Sequence, residues 1–399
     1  MSAERAKRGP NAAGSGADPA AAGQHSGADP VAAGWALKQV CHDAWLRDPQ
    51  ASSEAAARLC TLATTHPDDR TLAALAAWTA GIAALAEGRL ADALAALQRA
   101  QAGFEALGED GHAAQTRVPQ IAILGMLGRA VEALACAEAA RKQLVAVGDE
   151  ASAAKVEVNL GTLLARQDRH AEAEPYFRQA ALRLARVGDP GQSIVADLAL
   201  AGALAWQFRF DEARQTYERA RLRAERHALP LLRSHARQGL GQIALHRGLL
   251  HEALPALADA AALAAEHGAP PQRRLEVEST LADAYLAANL LDEALALYDR
   301  LIAQAQALAA PVEQGWATLQ RARALGRLGS HEAALAGFDA AIALFEQAGN
   351  AVVAGLALLG RGRVELALGQ AQAAGASAAE ALARLAPAGI VGRQLDARQ

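Results

Sequence analysis

The sequence predicts an all-α protein built from repeated helix pairs, and three observations carry this prediction. One alanine recurs about every 40 residues over most of the chain. Glycine recurs at the half-period, and alternating runs of β-branched residues, which would indicate strands, are absent. Of the 399 residues, 52% are hydrophobic and only 4% are aromatic, so the apolar side chains available for a core are mostly Ala and Leu.

The recurring alanine defines the frame of the repeat. It stands at Ala93, Ala133, Ala173, Ala213, Ala253, Ala294, Ala334 and Ala374, at intervals of 40, 40, 40, 40, 41, 40 and 40 residues. Seven residues later a second alanine follows in every copy except one, which has Leu301. Twelve residues earlier stands Gly or Ala, with Ile121 as the exception. Because a larger side chain at a close helix contact costs about 1–3 kcal/mol, these columns predict where the two helices of each pair cross.

Glycines that lie 20 residues apart divide each repeat into two halves, as Gly88 and Gly108 do in the first copy. A glycine just past a helical run is a helix stop. In several copies a proline follows, at Pro190, Pro230, Pro270 and Pro311. Each repeat is therefore predicted to form two helices of about 16 residues, each about 24 Å long.

A larger apolar residue usually stands four positions after the recurring alanine. It is found at Leu97, Phe177, Tyr217, Leu257, Tyr298 and Phe338. We expect these side chains to fill the space between successive helix pairs. Ala137 and Ala378 occupy the same position in two copies and leave it thin.

The third copy carries residues that resemble the tetratricopeptide repeat. Asn159-Leu160-Gly161, the run from Glu172 to Phe177, and Ala180 follow the family pattern Leu-Gly-x-x-Tyr, Ala-x-x-x-Phe and Ala. The resemblance extends over eight copies, from about Thr71 to Ala386. The family's standard period is about 34 residues, so this chain is similar to the longer variety found in kinesin light chains and in the sensor domains of bacterial regulators.

This resemblance implies a right-handed α-solenoid of antiparallel helix pairs, in which the first helix of each pair lines a concave surface. HEAT and armadillo arrays have comparable periods. The two equal halves and the Ala-x-x-x-aromatic-x-x-Ala pattern favour the tetratricopeptide interpretation.

The sequence also predicts the limits of the array. Residues 1–34 are of low complexity and contain the string Ser-Gly-Ala-Asp-Pro twice, so we expect a disordered tail. Residues 35–70 lie one period before the first full copy and are interpreted as a degenerate capping helix pair, because terminal repeats are atypical. Residues 71–386 form the eight repeats, and 387–399 form a C-terminal tail.

Charge and cysteine content exclude several classes of protein. The formal net charge of −4 provides no basic excess for nucleic acid or anionic membranes. Cys41, Cys60 and Cys136 are not spaced as a metal knuckle or a redox motif.

The residues from Met1 to Pro10 do not have the pattern of a secretory signal, and the longest uncharged run, 71–86, is too short to cross a bilayer. We expect a cytoplasmic protein, and the preference for Arg, Ala and Gly suggests a bacterial source.

Motifs that would indicate catalysis are incomplete. Gly239-Leu240-Gly241 has the outline of a dinucleotide loop, but it lies inside a predicted helix with no strand before it. His251-Glu252 and His331-Glu332 begin like a zinc-protease helix and lack its second histidine. The histidines clustered in the fifth repeat are interpreted as solvated or capping side chains. The sequence predicts neither an enzyme nor a bound cofactor or metal.

A stripe along the first helix of each repeat is the predicted partner surface. Its positions are counted from the residue that stands twelve before the recurring alanine. The positions two before it, one after it and five after it share one helix face. The candidate residues from this stripe are Ile82, Met126, Asn159, Thr162, Arg166, Trp206, Gln242, His246, Asp283, Arg323, Arg327 and Arg363. The stripe changes from apolar at its beginning to Arg-rich at its end. Because a guanidinium group can bind a carboxylate with two hydrogen bonds, we expect a protein or peptide segment with an acidic stretch.

Two functions follow from this surface. The chain is either a non-enzymatic scaffold that holds a protein or peptide in its groove, or a regulatory protein that senses a ligand or peptide in a bacterial signalling or transcription pathway. For the arginines, a merely solvated helix face is the alternative interpretation.

Overall fold

The computed structural model describes residues 29–44 and 49–386. Within these ranges it contains 18 α-helices and no strand. The helices are α1 (Pro30–Ala44), α2 (Pro49–Thr65), α3 (Arg70–Ala86), α4 (Leu90–Ala106), α5 (Asp110–Met126), α6 (Ala130–Ala146), α7 (Glu150–Ala165), α8 (His170–Val187), α9 (Pro190–Trp206), α10 (Phe210–Arg226), α11 (Pro230–His246), α12 (Leu250–Glu266), α13 (Pro271–Ala287), α14 (Leu291–Ala307), α15 (Pro311–Arg327), α16 (His331–Gln347), α17 (Ala351–Ala367) and α18 (Ala371–Leu385). Most of the predicted tail (1–28) and the whole predicted C-terminal tail (387–399) lie outside the described residues.

The chain divides into two compact units, the first ending at Gln143 and the second beginning at Leu144. In the first unit, α1 begins at Pro30, so residues 30–34, which the sequence placed in the tail, are helical. Both α1 and α2 pack against α3. The ring centroid of Trp35 lies 6.5 Å from that of Trp78 and 6.4 Å from that of Phe104. The N-terminal helix pair thus contributes the ring of Trp35 to the aromatic cluster of this unit.

From α3 onward, helices of mostly 17 residues alternate with short turns. In each of these turns, one residue has a positive φ, and it occupies the half-period position of the sequence. In most turns this residue is glycine, as at Gly88 (φ +76°) and Gly108 (φ +73°). Such a backbone conformation is one that glycine adopts without steric cost. The prolines predicted to mark helix stops also begin helices, because Pro190, Pro230 and Pro311 are first residues of α9, α11 and α15.

The large apolar residue of a second helix packs against a glycine of a first helix, either in its own pair or in the next one. A Cβ atom added to Gly161 would lie 2.7 Å from the ring of Phe177, which follows it in the same pair. A Cβ atom added to Gly239 would lie 2.2 Å from the ring of Tyr217, which belongs to the preceding pair. The prediction that these large side chains fill the space between successive pairs therefore holds for Tyr217, whereas Phe177 packs within its own pair. A side chain larger than that of glycine would not fit at Gly161 or Gly239, because a ring occupies the space.

In the second copy, the first helix carries the large residue and the second helix carries the small one. Ile121 stands where other copies have Gly or Ala, and Ala137 stands where six of the other seven have Leu, Phe or Tyr. Both side chains are fully buried. An exchange that keeps the total volume is the kind of substitution a packed core accepts best.

The inner side of the second unit is formed by the first helices of its pairs. Each of α7, α9, α11, α13 and α15 contacts the first helix of the next pair. Among the described residues, the second helices make no comparable contacts with one another. The row therefore bends toward its first helices, which is where a bound segment would meet side chains from several repeats.

In two consecutive pairs of this unit, a buried carboxylate on the first helix forms an ion pair with an arginine on the second helix. Glu157 on α7 is fully buried, and its Oε1 lies 3.2 Å from Nε of Arg183 on α8. Asp197 on α9 is 5% exposed, and its Oδ2 lies 2.6 Å from Nη1 of Arg223 on α10. A buried charge is tolerated only when it is paired and hydrogen-bonded, so these arginines are part of the fold.

Candidate functional site

The structure places most of the predicted stripe at the surface of the first helices. Met126 in the first unit and Thr162, Arg166, Trp206, His246, Arg327 and Arg363 in the second unit are exposed. Asn159, Gln242, Asp283 and Arg323 are half-buried. Apart from Met126, these residues lie on the inner side of the second unit.

Ile82 does not belong to an accessible surface. Its side chain is 5% exposed, and Thr79, one turn earlier, is fully buried. The N-terminal helix pair covers this part of α3, since α1 packs against α3 and Sγ of Cys41 lies 3.7 Å from the carbonyl oxygen of Thr79. The sequence-based prediction that Ile82 belongs to the apolar beginning of the partner surface was therefore wrong.

A cleft of about 480 Å³ lies between α13 and α15 in the second unit, with Tyr298 of α14 at its base. Its polar lining includes the carboxylates of Glu276, Asp283 and Glu313. Trp316 forms an aromatic wall of the same cleft. The cleft thus combines negative charge with the face of an indole ring.

Hydrogen bonds hold Asp283 in place. Its Oδ1 accepts from the hydroxyl of Tyr298 at 2.7 Å and from Nε2 of Gln320 at 2.9 Å. Nη1 of Arg323 donates to Oε1 of Gln320 at 2.9 Å. Burial, and next the negative charge of Asp283, raise the pKa of Tyr298 well above its usual range, so its hydroxyl keeps its proton and donates. Arg323 therefore holds Gln320, a residue that lines the cleft.

Further polar contacts connect α13 with α11. Nε2 of Gln238 donates to Oγ1 of Thr280 at 3.0 Å, and Nε2 of Gln242 lies 3.4 Å from the same oxygen. Glu276 is paired with Arg273 on its own helix at 2.7 Å. These contacts fix the backbone and side chains on one side of the cleft.

The opposite side of the cleft carries its most available groups. Glu313 is exposed on α15, and in the described residues no cation lies within 4.0 Å of its carboxylate. Trp316 is 37% exposed, and its ring meets Phe345 edge to face at 5.7 Å. A carboxylate beside an indole face is an arrangement that attracts ammonium and guanidinium groups.

The three arginines at the Arg-rich end of the predicted stripe have different surroundings in the structure. Arg323 is held in the cleft network, whereas Arg327 donates from Nη1 to the carbonyl oxygen of Leu286 at 2.8 Å and remains exposed. Arg363 on α17 is exposed as well. Two guanidinium groups thus remain at the surface beyond the cleft.

Sequence reasoning missed Glu276, Glu313 and Trp316. Glu276 and Trp316 lie four residues before Thr280 and Gln320. These two residues belong to the stripe, because they stand two positions before Ala282 and Ala322. Extending the stripe by one helical turn toward the helix starts would have included both. Glu313 lies one turn earlier again.

The lowered pKa of His235 predicts a dependence of stability on pH. Burial, and next the positive charge of Arg273, lower the pKa of His235 to about 4. The unfolded histidine takes up a proton below about pH 6.5, so the unfolded state binds more protons between pH 6.5 and 4. We expect the free energy of unfolding to fall by about 2 kcal/mol between pH 7 and pH 5 through this group, as measured by urea denaturation.

His235→Gln should remove this part of the pH dependence. The matched control is His251→Gln, because the His251 side chain is 77% exposed. Equal slopes for His235→Gln and the unaltered chain would contradict the assignment.

Other chemistry has little support among the described residues. No three His, Cys, Asp or Glu side chains in that part of the chain are grouped as metal ligands would be. Cys41, Cys60 and Cys136 are free cysteines. The described helices include none that is both long and apolar enough to span a membrane.

Comparison with known proteins reveals similarity in fold. No protein-family model and no curated protein sequence matches the chain. A Rap protein complexed with competence and sporulation factor superposes with a TM-score of 0.63 at 17% identity, over 92% of this chain and 98% of that one. The apo form of the quorum sensor NprR from B. thuringiensis superposes with a TM-score of 0.56 at 15% identity, over 90% and 89%.

A third similar structure carries the tetratricopeptide repeat in its description. It is a signal transduction ATPase with a tetratricopeptide repeat sensor from Pyrococcus horikoshii, with a TM-score of 0.58 at 13% identity, over 85% of this chain and 52% of that one. At these identities the likeness concerns the fold. The prediction from the repeat columns is confirmed: the chain has an all-α fold of the tetratricopeptide-repeat type.

Proposed function

We propose that the second unit binds a segment of a protein or a peptide along the inner side of its first helices, and that the chain acts through this binding rather than through catalysis. The observation that carries the proposal is the cleft between α13 and α15. Its volume of about 480 Å³ lies within the range of about 300–1,000 Å³ that is typical of ligand sites. Several helices of the row contribute to it, so a bound segment would be read by more than one repeat.

The charges around the cleft support a segment of mixed charge. Glu313, Glu276 and the indole of Trp316 suit a Lys or Arg side chain. Beyond the cleft, the exposed guanidinium groups of Arg327 and Arg363 suit an acidic stretch. The proposed partner segment therefore carries a basic residue for the cleft and acidic residues on the side of α17.

A signal-sensing role is the second candidate, and the comparisons favour it. Among structures of similar fold, one holds competence and sporulation factor and another is a quorum sensor. In this role the occupant of the cleft is a short free signal peptide rather than a segment of a stable partner. A free peptide at 100 times its dissociation constant would by itself stabilise the chain by about 2.7 kcal/mol, which a thermal-shift assay detects. We place either role in a bacterial cytoplasm, where free cysteines are kept reduced.

A peptide selection tests the proposal. Displayed random peptides of 16 residues are selected on the full chain, and dissociation constants are measured by fluorescence anisotropy. We expect enriched peptides to share Lys or Arg. The double variant Glu276→Gln/Glu313→Gln should weaken their binding by about 10- to 100-fold, because hydrogen bonds to charged groups contribute about 1.5–3 kcal/mol.

The control is Glu332→Gln, which removes an exposed carboxylate at the start of α16, a second helix of its pair. It should leave the dissociation constants unchanged. Enriched peptides without basic residues, or equal binding by the double variant and the control, would contradict the proposal that the cleft binds a basic residue.

A further inference from the structure

Exposed aromatic rings cluster at one edge of the second unit, where α9 turns into α10. Trp206 is 67% exposed and Phe208 is 76% exposed. Phe208 meets Phe210 edge to face at 6.0 Å, and the imidazole of His170 stacks on Trp206 at 5.5 Å with an interplanar angle of 3°. We refer to Trp206, Phe208 and Phe210 as the turn patch.

Phe208 has an unfavourable backbone conformation. Its φ is +60°, in the left-handed region that bulky residues rarely adopt. The equivalent residues in the other seven repeats also have positive φ, and all of them are Gly, Asp or Asn, the residues that tolerate it. They are Gly88, Gly128, Asp168, Gly248, Asn289, Gly329 and Gly369. The turn therefore does not need a phenylalanine.

Packing does not account for the two large rings either. A ring that is 76% exposed contributes little to a core, and the residues equivalent to Trp206 in neighbouring repeats are Arg166 and His246. Strained residues persist where function requires them. Exposed Trp and Phe side chains are typical anchors of protein interfaces. Strain and exposure at the same turn thus both point to a binding role.

The charges beside the turn patch are already matched. Arg209 pairs with Glu174 and Glu212 at 2.6 Å each. Arg247 pairs with Asp211 at 3.0 Å. No unbalanced charge is offered to a partner by these pairs, so the patch favours an apolar side chain.

The area of the turn patch limits its occupant. A large aromatic side chain has about 150–250 Å² of surface, so the exposed parts of Trp206 and Phe208 amount to roughly 300 Å². A stable protein dimer needs about 800 Å² from each partner. The patch is therefore too small to hold a second copy of the chain by itself. Trp206 lies in the same stripe as Arg166 and His246, so the patch is continuous with the inner side of the unit.

We propose that the turn patch is the apolar anchor point of the segment bound on the inner side, and that it takes one large apolar side chain, such as Leu, Phe or Trp. This inference rests on the proposed function and adds a second determinant to it. The partner segment then carries a basic residue for the cleft and, at a separate position, a large apolar residue for Phe208 and Trp206.

The test uses the full chain and the peptides selected on it, with Phe208→Gly as the informative variant. Glycine relieves the strain, so the thermal midpoint of Phe208→Gly should be unchanged or up to roughly 3 °C higher. The dissociation constants of the selected peptides should rise at least about tenfold. Ala228→Gly is the matched control, because Ala228 has φ +52° in the turn from α10 to α11; it relieves strain in the same way and should leave binding unchanged.

Each result is decisive. Peptides that depend on Glu313 and Glu276 but bind Phe208→Gly within twofold would overturn this inference and leave the proposed function standing. Peptides that depend on neither site, or a selection that enriches none, would overturn both. Sedimentation that shows a dimer lost in Phe208→Gly would replace the peptide by a second copy and overturn the inference as well.

Discussion

Replacing Arg183 with Met is expected to lower the free energy of unfolding by about 3–5 kcal/mol. Arg183 hydrogen-bonds Glu157 and also Glu150, and Glu157 is fully buried between α7 and α8. Methionine keeps much of the length of the side chain but leaves the carboxylate of Glu157 without its cation in a low-dielectric surrounding. The loss is measured by urea denaturation at pH 7.

A second substitution separates charge from packing. In the double variant Arg183→Met/Glu157→Gln the buried charge is gone, so most of the stability should return. Arg169→Met is the matched control, because Arg169 and its partner Glu172 are both solvent-exposed, and exposed pairs contribute little. If Arg183→Met and Arg169→Met had equal effects, Glu157 would not be the buried charge described above.

Replacing Phe338 with Ala is expected to cost about 3–5 kcal/mol. Its ring is 1% exposed and occupies the side-chain space of Gly360, where an added Cβ atom would lie 2.4 Å away. Truncation therefore opens a cavity between the seventh and eighth repeats, and a rigid packed row closes such a cavity only in part. Thermal and urea denaturation both report this loss.

The control uses the same substitution in another environment. Phe208→Ala removes an equally large ring that is 76% exposed, and alanine at φ +60° is strained as phenylalanine is. Its stability should stay within about 0.5 kcal/mol of the unaltered chain. A similar loss for both variants would show that the large residue of the repeat does not act by filling space.

The fold could be predicted from the sequence because its signal is repeated. Small and large residues alternate in fixed columns, and the glycines of the half-period fall at turns. The start of α1 was missed because the Ala-rich segment before Trp35 has few large apolar residues. A start signal was nevertheless present, since Oδ1 of Asp29 accepts from the backbone N–H of Val31 at 3.0 Å and Pro30 is the first helical residue.

The site was less predictable, because exposure depends on neighbours that one stripe does not describe. Ile82 has the same position in its helix as Asp283, but the N-terminal pair covers it. Arg323 and Arg327 look equivalent in the sequence, yet the first is hydrogen-bonded to Gln320 at the cleft and the second to a helix-terminal carbonyl. Partners of this kind come from tertiary packing and leave no periodic trace.

The exchanged sizes of Ile121 and Ala137 have an evolutionary consequence. Were recombination to join α5 to the second helix of another copy, the bulk of the isoleucine would meet a Leu, Phe or Tyr. The reciprocal product would leave two small residues facing each other over a void. A duplication or deletion that separates α5 from α6 would therefore lose this match of sizes, so we expect these two helices to be copied or lost only together.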